Sequence, residues 1–110
     1  MHELSIAQGV VDICQMHAEG RRVLAVTLEI GTLSGVVPEA LEFCFEASTN
    51  GTLLEGARLD IERIAATGYC RQCERAFPID AYFDPCPVCG ASPLEICSGE
   101  ELRVKDLEVE

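Results

Sequence analysis

The sequence predicts an α+β fold: a small mixed three-stranded sheet carrying two helices, plus an inserted zinc-ribbon-like four-cysteine module. Three observations lead there. Two amphipathic stretches at helical spacing alternate with stretches of strand character. The connection between the first two strands is long and contains a helix, which is the length a parallel crossover needs; such crossovers are right-handed. From about Gly68 to Cys97 the periodicity disappears, and cysteine, proline and aromatic residues take its place. With 110 residues, the chain suits one compact domain or a domain with a small appendage. The expected division is an α/β domain of residues 1–67 and 98–110, and an inserted domain of residues 68–97.

The first helix is read from Leu4, Ala7, Val11, Cys14 and Ala18, with Ile6, Val10 and Ile13 widening the apolar stripe. Gln8, Asp12, Gln15 and Glu19 fall largely on the other face, and Gly20 marks the end. Two starts compete: Ser5 with Gln8 resembles a capping box, and Glu3 suits a first turn because it complements the positive helix end. A strand follows over 23–30, with Leu24, Val26, Leu28 and Ile30 on one face and Gly31 as its stop. Pro38 is placed for the start of a second helix, which carries Ala40, Leu41, Phe43, Cys44, Phe45, Ala47 and Ser48 and ends at Asn50-Gly51. A second strand spans 57–64. The last strand spans 102–109, where an apolar phase slip at Asp106 predicts either a bulge or an early end.

Composition narrows the function. The net charge is −11, from 19 acidic and 8 basic residues. A nucleic-acid binder carries a basic stripe to replace phosphate counterions, so this balance argues against DNA or RNA. No apolar run reaches the length of a membrane span, so no membrane partner is expected. The opening lacks a basic region followed by an apolar stretch, which points to a cytoplasmic chain. Seven cysteines are many for that compartment, where disulfides are rare, and metal binding is the better reading.

Four of the seven form the clearest motif. "CRQCERAFPIDAYFDPCPVCG" sets Cys70 and Cys73, then Cys86 and Cys89, as two Cys-x-x-Cys pairs. Each pair turns its thiolates toward one point, and four sulfurs at one point make a closed tetrahedral site suited to structural zinc. Pro85 and Pro87 stiffen the second pair, and Gly90 lets the backbone fold back beneath it. The module offers little core beyond Tyr69, Phe77, Ile79, Tyr82, Phe83 and Val88. Ordering costs on the order of 1–2 kcal/mol per residue, whereas structural zinc supplies roughly 10–16 kcal/mol in small peptides. Metal therefore decides whether the module folds. A thioredoxin-like dithiol needs only one reactive pair, and an iron–sulfur or rubredoxin-type iron site uses similar ligands. The module carries Arg71 and Arg75 against Glu74, Asp80, Asp84 and Glu95, a surface that would repel phosphate. No role is assigned to Cys14, Cys44, Cys97 or His17.

The other candidate site is the opening Met1-His2-Glu3. The terminal amine and the backbone and imidazole nitrogens of His2 lie close enough in sequence to chelate one ion, and nitrogen-rich tetragonal sites favour Ni(II) and Cu(II). Glu3 can add its backbone nitrogen or its carboxylate.

With Met1-His2-Glu3, "IGTLSGVVPEALEFCF", "GTLLEGARLDIE", the paired Cys-x-x-Cys module and the closing "ELRVKDLEVE", the chain closely resembles the HypA/HybF family of hydrogenase nickel-insertion accessory proteins. The resemblance spans essentially the whole chain. It implies a small metallochaperone rather than an enzyme, with one Ni(II) as transferable cargo on Met1, His2 and Glu3 and structural zinc on Cys70, Cys73, Cys86 and Cys89. Implied partners are a GTPase accessory protein of hydrogenase maturation and the large subunit of nickel–iron hydrogenase. A urease accessory protein and a homodimer are further candidates. The alternative is a zinc-ribbon protein–protein interaction module without a nickel function.

Overall fold

The computed structural model describes residues 3–110. Along the chain run α1 (Glu3–Ala18), β1 (Val23–Gly31), α2 (Pro38–Thr49), β2 (Arg58–Ile64), β3 (Thr67–Cys70), β4 (Arg75–Pro78), β5 (Glu95–Ser98) and β6 (Leu102–Val109). They form two three-stranded sheets, ordered β2-β1-β6 and β4-β3-β5. The chain packs into two compact units. One draws on the chain up to Glu29, on Val36–Glu62 and on Arg103–Glu110; the other comprises Ile30–Gly35 and Arg63–Leu102.

The two helices of the first unit bury most of the stripe that their periodicity predicts. Ala7, Val10, Val11, Cys14 and Ala18 form the buried stripe of α1, and Leu41, Phe45 and Thr49 that of α2. The two helices pack against each other. Leu4 and Ile13, expected on the apolar face of α1, are instead among the exposed residues, as are Leu24 of β1 and Phe43 of α2. Helix α1 already includes Glu3, so Ser5 lies inside the helix and cannot cap it. The acidic first turn is the start that the chain adopts. At the other end, Glu19 and Gly20 take φ of 53° and 80°, and the N–H of Arg21 bonds the carbonyl of Ala18. Two left-handed residues in succession reverse the chain, which is why glycine follows the helix. Pro38 opens α2 with Val37 as its N-cap, and Gly51, at φ 77°, follows Asn50 beyond its end.

The principal sheet is mixed. The N–H of Thr32, just past β1, bonds the carbonyl of Ile64 at the end of β2, so those strands run parallel. The N–H of Gly31 bonds Glu101, and the N–H of Glu110 bonds Arg22, so β6 runs antiparallel to β1. Strand β6 runs on through Asp106 to Val109. An early end therefore does not occur there. The inward phase still slips, with Val104, Leu107 and Val109 each half-buried.

The second sheet lies where periodicity fails. Antiparallel pairing places Thr67 opposite Pro78 and Cys70 opposite Arg75. On the other side, Thr67 faces Ser98 but Gly68 faces Ile96, so Cys97 is the extra residue of a bulge. Four-residue strands are too short for alternation to stand out in a sequence. The core here is Ala66, Cys70, Phe77, Ile79, Cys86 and Leu94. Phe77 and Ile79 are buried as expected, whereas Tyr82, Phe83 and Val88 face solvent.

Candidate metal centre

The β3–β4 hairpin delivers the first cysteine pair. Cys70 ends β3 and Cys73 lies in the four-residue turn before Arg75, closed by Glu74 at φ 53°. The second pair sits on a tight backbone loop. The N–H of Cys86 bonds the carbonyl of Ala91 at 2.8 Å, and the N–H of Gly90 bonds the carbonyl of Cys86 at 2.9 Å. Gly90 has φ 76°, a conformation that side chains resist, so a glycine after the second cysteine is a geometric requirement. This fold-back aims two amides at one sulfur. The N–H groups of Val88 and Cys89 donate to Cys86 Sγ at 3.4 and 3.5 Å.

The four sulfurs of Cys70, Cys73, Cys86 and Cys89 lie within 4.8 Å of one another. Cys70 and Cys89 are 3.6 Å apart, and Cys73 and Cys86 are 3.8 Å apart. A disulfide needs about 2 Å, so these are free thiols rather than bridges. A zinc–sulfur bond of about 2.3 Å makes the edge of a tetrahedral four-sulfur site about 3.8 Å. The donor set and its spacing therefore fit a divalent ion bound by four thiolates, with no position left for water or substrate.

The proton balance of the cluster agrees. Cys86 has its pKa lowered to about 6, first by the N–H of Cys89 and then by that of Val88, against the opposing effect of desolvation. Cys73 is pushed up to about 12, chiefly because it donates its proton to Cys89 and then because it is desolvated. Cys86 is thus held toward the thiolate, while Cys73 and Cys89 are held toward the protonated form. A bound cation would displace those protons, which makes metal affinity depend on pH.

Of the other expected site, Met1 and His2 lie outside the described residues. Glu3 is described, in the first turn of α1. Its Oε2 accepts a hydrogen bond of 3.3 Å from the N–H of Val37, the N-cap of α2. His17 and Cys97 are exposed, Cys44 is half-buried, and Cys14 is fully buried. Burial pushes the Cys14 thiol up to about 11. Sequence reasoning missed the two amides on Cys86 and the bond from Glu3 to Val37. The first carries a signal in the Cys-Pro-Val-Cys-Gly pattern; the second joins residues far apart in sequence and carries none.

A cavity of about 370 Å³ opens beside Cys70, between Tyr69, Arg71, Pro93 and Leu94. Its two charged groups, Arg71 and Glu95, pair with each other at 3.1 Å. Among the described residues, no helix is long and apolar enough to cross a membrane.

Known proteins resemble this chain along its whole length. The family model described as hydrogenase/urease nickel incorporation, metallochaperone, HypA matches residues 1–109. A hydrogenase maturation factor HypA of Geobacter metallireducens is 67% identical over 110 residues, covering all of both chains. One from Trichodesmium erythraeum is 48% identical, covering all of this chain and 96% of its own. Among solved structures, the solution structure of the Ni metallochaperone HypA from Helicobacter pylori is similar, with a TM-score of 0.71 and 26% identity. That match covers 99% of this chain and 97% of the other.

Proposed function

The chain belongs to the HypA family of hydrogenase/urease nickel-incorporation metallochaperones, and from that premise we propose that it binds one Ni(II) through Met1, His2 and Glu3 and delivers it during maturation of nickel–iron hydrogenase. The observation that carries this reading is the family match over residues 1–109, which takes in both the opening tripeptide and the four cysteines.

The two candidate sites divide the labour by their chemistry. Cys70, Cys73, Cys86 and Cys89 would hold zinc in a closed set of thiolates, and zinc would supply there the folding energy of residues 68–97 rather than any reaction. A cargo ion needs the opposite, a site with few ligands from which a second protein can take it. Nitrogen donors at the opening of the chain meet that need for Ni(II). No catalysis is assigned to either site. The receiving proteins are a GTPase accessory protein of hydrogenase maturation and the hydrogenase large subunit, in the cytoplasm, with a urease accessory protein as a second client.

The test is calorimetric titration of Ni(II) into the wild type, His2→Ala and a form extended before Met1. His2→Ala should abolish binding, and the extension should weaken it, because an amide is a poorer donor than an amine. Binding should also fall as pH drops through the histidine range near 6.5, since protons compete for the same nitrogens. Equal affinity in all three proteins would leave the chain as a zinc-ribbon interaction module without a nickel function.

A further inference from the structure

We infer that Phe83 is the anchor of a protein-docking surface, and that its partner offers an apolar pocket rimmed by lysine and arginine. Phe83 is 79% exposed, the most exposed large apolar side chain among the described residues. A single exposed apolar residue is ordinary. What distinguishes this one is how firmly the backbone holds it out. Oδ2 of Asp84 accepts the N–H of Asp80 at 2.7 Å and that of Ala81 at 3.1 Å. The hydroxyl of Ser92 donates to the carbonyl of Phe83 itself at 3.1 Å. On the other side, the hydroxyl of Tyr82 donates to Oε2 of Glu100 at 2.9 Å. The residues on both sides of Phe83 are therefore fixed while its ring stays in water. An aromatic anchor whose conformation is set beforehand loses little entropy on binding, which is what an interface hot spot requires. Tyr82 and Val88, 41% and 63% exposed, extend the apolar character of the same unit.

Charge selects the partner. From Ala76 to Leu102 there is no lysine or arginine, while Asp80, Asp84, Glu95, Glu100 and Glu101 are all acidic. The nearest cation before that stretch, Arg75, lies over the Phe77 ring at 5.2 Å, and Arg71 is paired with Glu95 at 3.1 Å. Phe83 thus sits in a purely acidic stretch. Nucleic acid and an anionic membrane surface would be repelled. A second copy of the chain, itself at −11, is disfavoured in the same way. A basic protein surface is attracted, and charge complementarity at a rim sets encounter rate and specificity.

The experiment places a photoreactive p-benzoyl-phenylalanine in the full-length chain in cells, as Phe83→p-benzoyl-phenylalanine, with Phe43→p-benzoyl-phenylalanine as an equally exposed control in the other unit. Position 83 should crosslink to one protein, at a peptide that combines apolar residues with lysine or arginine; position 43 should not crosslink there. With that partner purified, Phe83→Ala should weaken binding by about 30-fold or more. Phe83→Leu should retain most of the affinity, and Asp80→Lys should weaken binding and flatten its salt dependence. Metal content and thermal midpoint should be unchanged in all three variants. No crosslink at position 83, a crosslink to a second copy or to an acidic peptide, or equal affinity of Phe83→Ala would each overturn the assignment.

Discussion

The carboxylate of Glu3, in α1, accepts a hydrogen bond from the backbone N–H of Val37, the residue that caps α2. The second helix lacks a side-chain cap of its own, and Pro38 at its first position has no N–H to offer. Glu3 thus does from another helix what a capping-box glutamate does from within one, taking up the N–H of the N-cap residue. The same carboxylate complements the positive end of the α2 dipole.

Glu3 should therefore matter to stability even without nickel. Glu3→Ala is expected to cost about 0.5–1 kcal/mol in the nickel-free protein, while Glu3→Gln, which keeps an acceptor, should lose less. Urea unfolding of both variants measures this directly. An unchanged midpoint in Glu3→Ala would show that the bond contributes nothing. The consequence for metal work is practical: Glu3→Ala removes a proposed nickel ligand and a helix cap together, so His2→Ala is the cleaner probe.

Loss of one sulfur should dissolve the second sheet. The purified protein is expected to carry about one equivalent of zinc, and Cys73→Ala should carry almost none. Amides of Tyr69, Phe77 and Ile96 should then exchange freely, whereas α1 and α2 keep their protection. The reason is size: a core of Ala66, Cys70, Phe77, Ile79, Cys86 and Leu94 is too small to offset roughly 1–2 kcal/mol of ordering entropy per residue without metal. Protected amides throughout residues 68–97 of the metal-free protein would contradict this.

A methyl group at Gly31 should be tolerated poorly. The N–H of Gly31 bonds Glu101 at 2.7 Å, the N–H of Leu33 bonds Gly99 at 2.8 Å, and a Cβ on Gly31 would overlap the carbonyl of Gly99. Gly99 has little freedom to retreat, because it lies at φ 112° and a Cβ there would stand 2.6 Å from that of Ala66. Backbone meets backbone, so no side chain can turn aside. Gly31→Ala is expected to cost about 1–3 kcal/mol, read as a lower midpoint in chemical denaturation. A midpoint equal to that of the wild type would mean the strands separate more easily than their hydrogen bonds indicate.

Cys14 should alkylate far more slowly than Cys97. It is fully buried, and burial pushes its pKa from 9.0 up to about 11. At neutral pH this leaves about 100-fold less thiolate than an ordinary cysteine has, before access is considered. Exposed Cys97 supplies the internal comparison, by mass spectrometry after timed treatment with iodoacetamide. The sign for stability follows. A pKa raised on folding favours the folded state below pH 9, and that contribution is lost as pH climbs toward 11. Stability should therefore decline through this alkaline window, and less so in Cys14→Ala once its cavity cost is subtracted.

Much of this chain could be read from its sequence, because its signals are local. Helices α1 and α2 follow from apolar spacing with Gly20, Pro38 and Gly51 as boundaries, since helix stripe and helix end are decided within a few residues. The gathering of Cys70, Cys73, Cys86 and Cys89 could also be expected, because a Cys-x-x-Cys pair sets its own two sulfurs within one turn. The tertiary structure decided what depends on residues distant in sequence. It brought Glu3 to Val37 and Gly31 to Gly99, through contacts that neither member of each pair announces. It also chose which apolar residues of the cysteine module to bury, taking Phe77 and Ile79 inward and leaving Tyr82, Phe83 and Val88 in water. Hydrophobicity is a property each residue carries alone; burial depends on which surfaces the folded backbone brings together.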